Sequence, residues 1–172
     1  DIGRLLVSSL DLDLILDAIV EKARGLLGAE SGLVRTLEPE TGILRLLRGT
    51  NIPRGLTTWH DLRVGEGVSG RAVAEGRPVW SRNTSEDPAL SQRPATRERL
   101  RQEGFRGALA VPIRTRECIF GALALRAAGP RDFTRDEVAL LESLAQFAGI
   151  ALNNAKLYAD LAAQVTSLKQ AQ

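Results

Sequence analysis

Ile2, Leu5, Ser9, Leu12, Leu16, Ile19, Ala23 and Leu26 recur at alternating spacings of three and four, with Ile15 and Leu27 beside them. That rhythm predicts one apolar stripe on a helix. Asp11 or Asp13 is placed to cap a restart of it, and Gly28 stands where it would end. The period then shortens. "GLVRTL" (32–37) and "GILRLL" (42–47), joined by "EPET", predict a hairpin. From Arg48 to Leu62 the chain is polar and irregular. "RPVWS" (77–81) predicts a short strand, and the long loop "RNTSEDPALSQRPAT" follows it. Arg97 to Glu103 predicts a short helix closed by Gly104. "GALAVPI" and "CIFGALAL" then predict a second hairpin around "RTRE".

The last element carries the strongest signals. Thr134 as N-cap with Glu137 three residues on makes a capping box, and Phe133 and Val138 hold the positions of a hydrophobic staple. Downstream, Leu141, Leu144, Ala148, Ala151, Ala155, Tyr158, Ala162 and Val165 keep a three-four rhythm. A stripe that outruns the globular core, around Tyr158, calls for a partner, and the same helix of a second chain supplies one. The expected dimer interface is therefore Leu144, Ala148, Ala151, Ala155, Tyr158, Ala162 and Val165. Antiparallel hairpins between terminal helices predict an α+β fold, a sheet covered on one face by those helices. Loops cover the other face, which favours a small-molecule cavity there.

One stretch competes with this reading. In "VGEGVSGRAVAEGRPV" (64–79), Gly65, Gly67 and Gly70 fit the G-x-G-x-x-G spacing of a dinucleotide site. Such a site needs an apolar strand running into the first glycine, and "TTWHDLRV" is polar. Its helix should run several turns, whereas Gly76 and Pro78 stop this one after about two. Glu86 and Asp87 lie near the distance of a ribose-binding acid but sit in a Ser/Asn/Pro loop. The glycines are read as turns.

Composition narrows the partners. The 172 residues suit one domain able to bury a core unaided. The net charge of +2 is small, and in the densest basic run, "RPATRERLRQEGFR", Glu98 and Glu103 interrupt the arginines, which argues against nucleic acid. No apolar run is long enough to span a bilayer, so membrane contact by this segment is not expected. One cysteine, Cys118, excludes an internal disulfide and fits a reducing, cytoplasmic setting. The absent initial Met and the "KQAQ" ending read as a piece cut from a longer protein.

"VGEGVSGRAVAEGRPV", "EDP", "GFRGALAVPI", "FGALAL" and "FTRDEVALLESLAQFAGIALNNAKLY", in that order and spacing, resemble the GAF domain family from about Leu10 to Tyr158. The resemblance implies a GAF-like, PAS-related central antiparallel sheet of five or six strands, with terminal helices on one face and loops and short helices on the other. It also implies a single domain over 1–158, with 159–172 opening a helical linker. Family members serve as sensory modules of bacterial signalling proteins such as sensor histidine kinases, often dimeric through their terminal helices.

The resemblance also sorts ligands. Cyclic-nucleotide-binding members carry an Asn-Lys pair ahead of a Phe and an Asp-Glu; here Phe133 and Asp136-Glu137 follow Ala128, Gly129 and Pro130. Haem-binding members present a His after the Asp-Pro, and "ALSQRPATRERL" has none; His60 lies in the earlier loop. Bilin-binding members use a Cys, whereas Cys118 opens a strand beside Ile119 and Phe120. No cofactor and no metal is expected. Candidate ligand contacts are Trp59 and Trp80 as apolar walls, Arg97 and Arg101 as an anion clamp, and Asp87 beside Pro88. Val68 and Ala110 follow from the family's pocket position.

The leading expectation is a non-catalytic sensory domain, a homodimer through both terminal helices, binding a small molecule and relaying to an output domain. Two alternatives stay open. One is a dimerising spacer with no ligand, and the other a methionine-sulfoxide-reductase-like enzyme using Cys118, which would need an outside resolving thiol.

Overall fold

The structure is a computed structural model that describes residues 9–50 and 61–171. Helix α1 (Ser9–Leu27) buries Leu16, Ile19, Val20, Ala23 and Leu27. The expected stripe closes on Leu27 rather than Leu26, which is 54% exposed, because Ala23 plus four residues completes a turn better than plus three. Ile2 and Leu5 lie outside the described residues. Asp11 and Asp13, expected as possible caps, lie inside α1. Gly28, at φ 65°, ends the helix as expected.

Six strands follow: β1 (Ser31–Glu38), β2 (Ile43–Thr50), β3 (Leu62–Arg63), β4 (Val79–Ser81), β5 (Gly107–Arg114) and β6 (Ile119–Ala127). They form one antiparallel sheet in the order β3-β2-β1-β6-β5-β4. The helices are α1, α2 (Gly67–Glu75), α3 (Pro94–Glu103) and α4 (Arg135–Ala171). The α+β expectation and both hairpins hold. Strand β3 falls in the stretch read as irregular, since two residues are too few to show an alternation. The strand expected from Arg77 starts at Val79, and α3 starts at Pro94, whose fixed φ suits a first helical position.

Side-chain alternation gives the sheet two working faces. Val34, Leu109, Val111, Leu123 and Leu125 point to α1 and α4 and build the main core with Leu141, Ala148 and Leu152. Leu33, Ala110 and Ala124 point the other way, to α2 through Ala72 and Val68. Arg48 ties α1 to β2: its Nε and Nη2 donate to both Asp17 oxygens, at 2.7 and 2.6 Å.

The glycine motif does turn the chain. Gly65 and Gly67 have φ 92° and 66°, and a Cβ on Gly70 would lie 2.4 Å from the Arg63 carbonyl oxygen. What precedes Gly65 is β3, a two-residue antiparallel edge strand, so no parallel strand leads into the motif. At α4 the capping box forms as read: Thr134 Oγ1 accepts from the Glu137 N–H at 3.1 Å, and Glu137 Oε1 accepts from the Thr134 N–H at 3.0 Å.

Candidate functional site

A cavity of about 50 Å³ lies between the sheet and the layer of α2, α3 and the loop joining β4 to α3. Its floor is the second sheet face, where Leu33 pairs with Ala124 and Ala108 pairs with Arg126. Small residues there leave space that larger ones would fill. The first turn of α2, with Gly67, Val68 and Ser69, forms one wall, and Thr96 and Leu100 of α3 form another. Phe105, Thr84 and Gln92 complete it, and Gln92 Oε1 is buried without a hydrogen-bond partner.

Two arginines stand on that floor. In the antiparallel register Arg126 of β6 faces Ser31, and Arg35 of β1 faces Ala122. They are thus four residues apart along neighbouring strands, roughly 13 Å between backbones, and share the face of Leu33 and Ala124. Each side chain reaches inward from its own end of the cavity. Arg35 is 4% exposed and Arg126 is 6% exposed.

The Arg126 guanidinium sits over the Phe105 ring at 4.4 Å, and its Nη2 donates to Ser31 Oγ at 3.4 Å. Its Nε is buried with no hydrogen-bond partner. Burial pulls Arg126 down to about 10, with Glu103 pulling the other way. Burial, then the neighbouring Arg126 charge, pulls Arg35 down to about 9, with Asp61 and Glu66 pulling the other way. Both stay protonated at neutral pH, so the cavity holds two positive charges.

The nearby acids Asp61 and Glu66 act on Arg35 and are bound by other arginines as well. Glu66 is bound by Arg93, with Nε to Oε2 at 2.9 Å and Nη2 to Oε1 at 3.2 Å. Asp61 accepts from Arg45 Nη1 at 2.8 Å. Glu103 is the exception: both its oxygens are buried without a hydrogen-bond partner, and burial raises its carboxyl above the ordinary value. It is shared electrostatically between Arg99 and Arg126.

Of the residues read from sequence as ligand contacts, Val68 lines this cavity. Trp59 lies outside the described residues. Trp80 does not line it. It pairs with Leu109, whose side chain points to the helices, so alternation turns Trp80 off the cavity face, and it is 49% exposed on the edge strand β4. Ala110 shares the cavity face but is covered by α2, and Ala108, two residues earlier, lines the cavity instead. Asp87 accepts from Ser81 Oγ at 2.6 Å and from the Ala89 N–H at 2.9 Å, so it braces the turn. Arg101 is exposed and pairs with Glu98 at 2.7 Å; Arg97 donates to the Leu90 carbonyl at 3.1 Å. The proposed clamp is not formed, because both arginines are satisfied locally.

The expected dimer stripe divides. Ala148 and Ala151 are buried, Leu144 packs against the core, and Ala155 is half-buried, so the domain's own sheet and α1 take that half of the stripe. Tyr158, Ala162 and Val165 are exposed. A second stripe, Phe147, Ile150, Leu157, Leu161 and Leu168, lies exposed along α4.

Arg35 and Arg126 escaped the sequence reading. The signal was present as one cation inside each of two apolar strands, "GLVRTL" and "LALRAA", on the parity of inward-facing neighbours.

Among known sequences, a family profile described as GAF domain matches residues 9–153. Nif-specific regulatory proteins of Azospirillum lipoferum and Azospirillum brasilense are each 28% identical over 152 residues, covering 87% of this chain and 24% of theirs. The chain thus spans about a quarter of the length of these curated relatives. Among solved structures, the GAF domain of a phosphoenolpyruvate-protein phosphotransferase from Coxiella burnetii is similar at TM-score 0.75 and 20% identity, over 92% of this chain and 91% of that one. A structure from Sinorhizobium meliloti 1021 assigned to a two-component sensor histidine kinase protein gives TM-score 0.70 at 15% identity, over 88% and 97%. A free methionine-R-sulfoxide reductase from Neisseria meningitidis gives 0.66 at 16%, over 83% and 80%. At these identities the structural likenesses establish the fold alone.

Proposed function

The chain belongs to the GAF domain family, and from that premise we propose that it is a non-catalytic sensory module of a larger signalling protein, binding a small molecule between the sheet and α2/α3. The observation that carries the reading is the two-faced sheet. Strands β1, β5 and β6 send alternate side chains into the cavity on one side and against α1 and α4 on the other. A ligand that favours one arrangement of the cavity floor thereby biases the packing of the terminal helices.

The relay we propose is a homodimer through those helices, formed by the exposed α4 stripe rather than by Ala148 and Ala151. Phe147, Asn154, Leu161 and Leu168 repeat every seven residues, with Ile150 and Leu157 between them. That is the a/d seam of a coiled coil, and an Asn at one a position favours two parallel strands in register. Leu14 and Leu26 add exposed apolar surface on α1.

For the output, a regulatory protein like the Azospirillum relatives has sequence identity behind it, whereas a histidine kinase has a shared fold behind it. We place the domain in the cytoplasm, without nucleic acid as partner; among the described residues no helix is long and apolar enough to cross a membrane. Against a thiol enzyme, Cys118 sits at the end of the β5–β6 turn, just before β6, and is absent from the cavity walls. A ligand bound there meets no nucleophilic sulfur.

Native mass spectrometry of the freshly purified chain tests the reading, with a dimer carrying excess mass as the expected result. A dimer without excess mass, gaining no thermal stability from a metabolite collection, would replace it with a spacer module. A monomer would remove the relay.

A further inference from the structure

Arg126 Nε, on the cavity floor, and Gln92 Oε1, on its cover, are buried in the walls without a hydrogen-bond partner. An unmet buried donor or acceptor is unfavourable, and folded proteins keep few of them. Gln92 is fixed from both sides. The Ser91 carbonyl before it accepts from the Gly67 N–H at 2.8 Å. After it, the Arg93 N–H donates to Glu66 Oε2 at 3.2 Å and Arg93 Nε donates to the same oxygen at 2.9 Å. Arg126 is 6% exposed and lies over the Phe105 ring. Glu103 offsets part of its charge, but no hydrogen bond joins the two. Arg35, at the other end of the floor, is already offset by Asp61 and Glu66.

On the premise that the cavity is the ligand site, we propose that its ligand is a short-chain hydroxy acid with one carboxylate. The carboxylate accepts from the Arg126 guanidinium on the floor, and the hydroxyl donates to Gln92 Oε1 on the cover. A guanidinium fork suits carboxylate oxygens. A cavity of about 50 Å³ has room for roughly four water-sized groups. A carboxylate and a short stem fill most of that space, so the donor left for Gln92 is a single group. A hydroxyl fits, whereas an amine would set a second cation beside Arg126. One negative charge suffices, because Glu103 supplies part of the balance. Leu33, Val68 and Ala124 are in the same walls to flank the apolar stem.

Isothermal titration on the purified chain tests this with four probes: 3-hydroxypropionate, butyrate, 3-hydroxypropionamide and inorganic phosphate. The hydroxy acid is expected to bind at one per chain. Butyrate, with a methyl in place of the hydroxyl, should bind about three- to tenfold more weakly. The uncharged amide should bind roughly ten- to hundredfold more weakly, and phosphate should bind more weakly than the hydroxy acid. Gln92→Leu should abolish the preference for the hydroxy acid over butyrate. Arg126→Met should abolish the preference for the acid over the amide, and Arg126→Lys should keep part of it. A merely structural role for either side chain would weaken all the probes alike. Circular dichroism of each variant confirms that it is folded.

The proposal is overturned if butyrate or the amide matches the hydroxy acid, if phosphate binds more tightly, or if the two preferences survive in the Gln92→Leu and Arg126→Met variants. It is also overturned if no probe binds while native mass spectrometry finds a bound mass of another kind, and in that case the ligand site itself survives. An empty cavity that no probe fills removes the site and the hydroxy acid together.

Discussion

Replacing Arg35 by Met should make the ligand-free protein more stable. The drop of the guanidinium from its ordinary value to about 9, at about 1.4 kcal/mol per pH unit, corresponds to about 5 kcal/mol of unfavourable burial in the charged form. That is an upper figure for the gain, because Met also forfeits the polar contacts of the guanidinium, each worth about 1 kcal/mol. Met retains most of the stem's volume, so no large cavity opens. A net gain of about 1–4 kcal/mol is expected, in line with other buried charges exchanged for apolar side chains. At about 2–4 °C per kcal/mol for a chain of this size, Tm at pH 7 should rise by roughly 2–16 °C.

The pH dependence provides an internal control. Between about 9 and the ordinary arginine value the unfolded arginine holds its proton while the folded one releases it, so wild-type stability rises with pH across that window. Below about 9 the penalty is present in full. The advantage of Arg35→Met should therefore be constant from pH 6 to 8 and shrink toward pH 10.5, read as the difference between paired thermal melts so that groups common to both cancel. A variant less stable than wild type at pH 7, or an advantage unchanged at pH 10.5, would refute the account of Arg35 as a destabilising buried charge.

Three further outcomes are expected. Leu161→Glu, on the exposed α4 stripe beyond the core, should convert a dimer to a monomer in analytical ultracentrifugation and leave the melt of the globular part unchanged; a persisting dimer rejects the seam. Gly149→Ala should lose about 1–3 kcal/mol, because the new Cβ would lie 2.8 Å from the Arg114 carbonyl oxygen, and an unchanged Tm means that α4 does not pack this closely on β5. The Thr134 backbone N–H first, and then Arg131, hold the Glu137 carboxyl below its ordinary value. Its stabilisation is therefore present above about pH 4.5 and lost as pH falls through the lowered value. Glu137→Gln should cost about 1 kcal/mol at pH 7, and a gap that does not narrow as pH falls below about 4.5 would contradict this.

Much of this fold was written in local signals. The capping box at Thr134 and Glu137 and the turn at Gly28 depend on residues within a few positions of one another, and the structure keeps them. The cavity was less legible because it depends on parity and register. Whether Trp80 or Val79 faces inward is decided by its pairing with β5, and Arg35 and Arg126 become neighbours only once β1 lies beside β6. Arg97 and Arg101 looked like a clamp because helical spacing is visible in the sequence, whereas their capture by the Leu90 carbonyl and Glu98 is not. On α4 the rhythm was right but described the inner side of the helix, since an apolar stripe does not state whether its partner is the same chain or another.

Helix α4 is continuous over 37 residues, about 55 Å at 1.5 Å per residue, from the sheet to Ala171. Its first half is keyed to the domain by Leu141, Ala148 and Leu152. A small roll of that half on the sheet therefore reappears at the far end as a roll of the same sense, without any bending. Under the proposed relay the helix works as a torsion shaft whose azimuth is set at the cavity end. Whatever it drives would sense angle before distance, so a spliced-in heptad keeps the setting, whereas two extra residues, at about 100° each, turn the driven part to the opposite side.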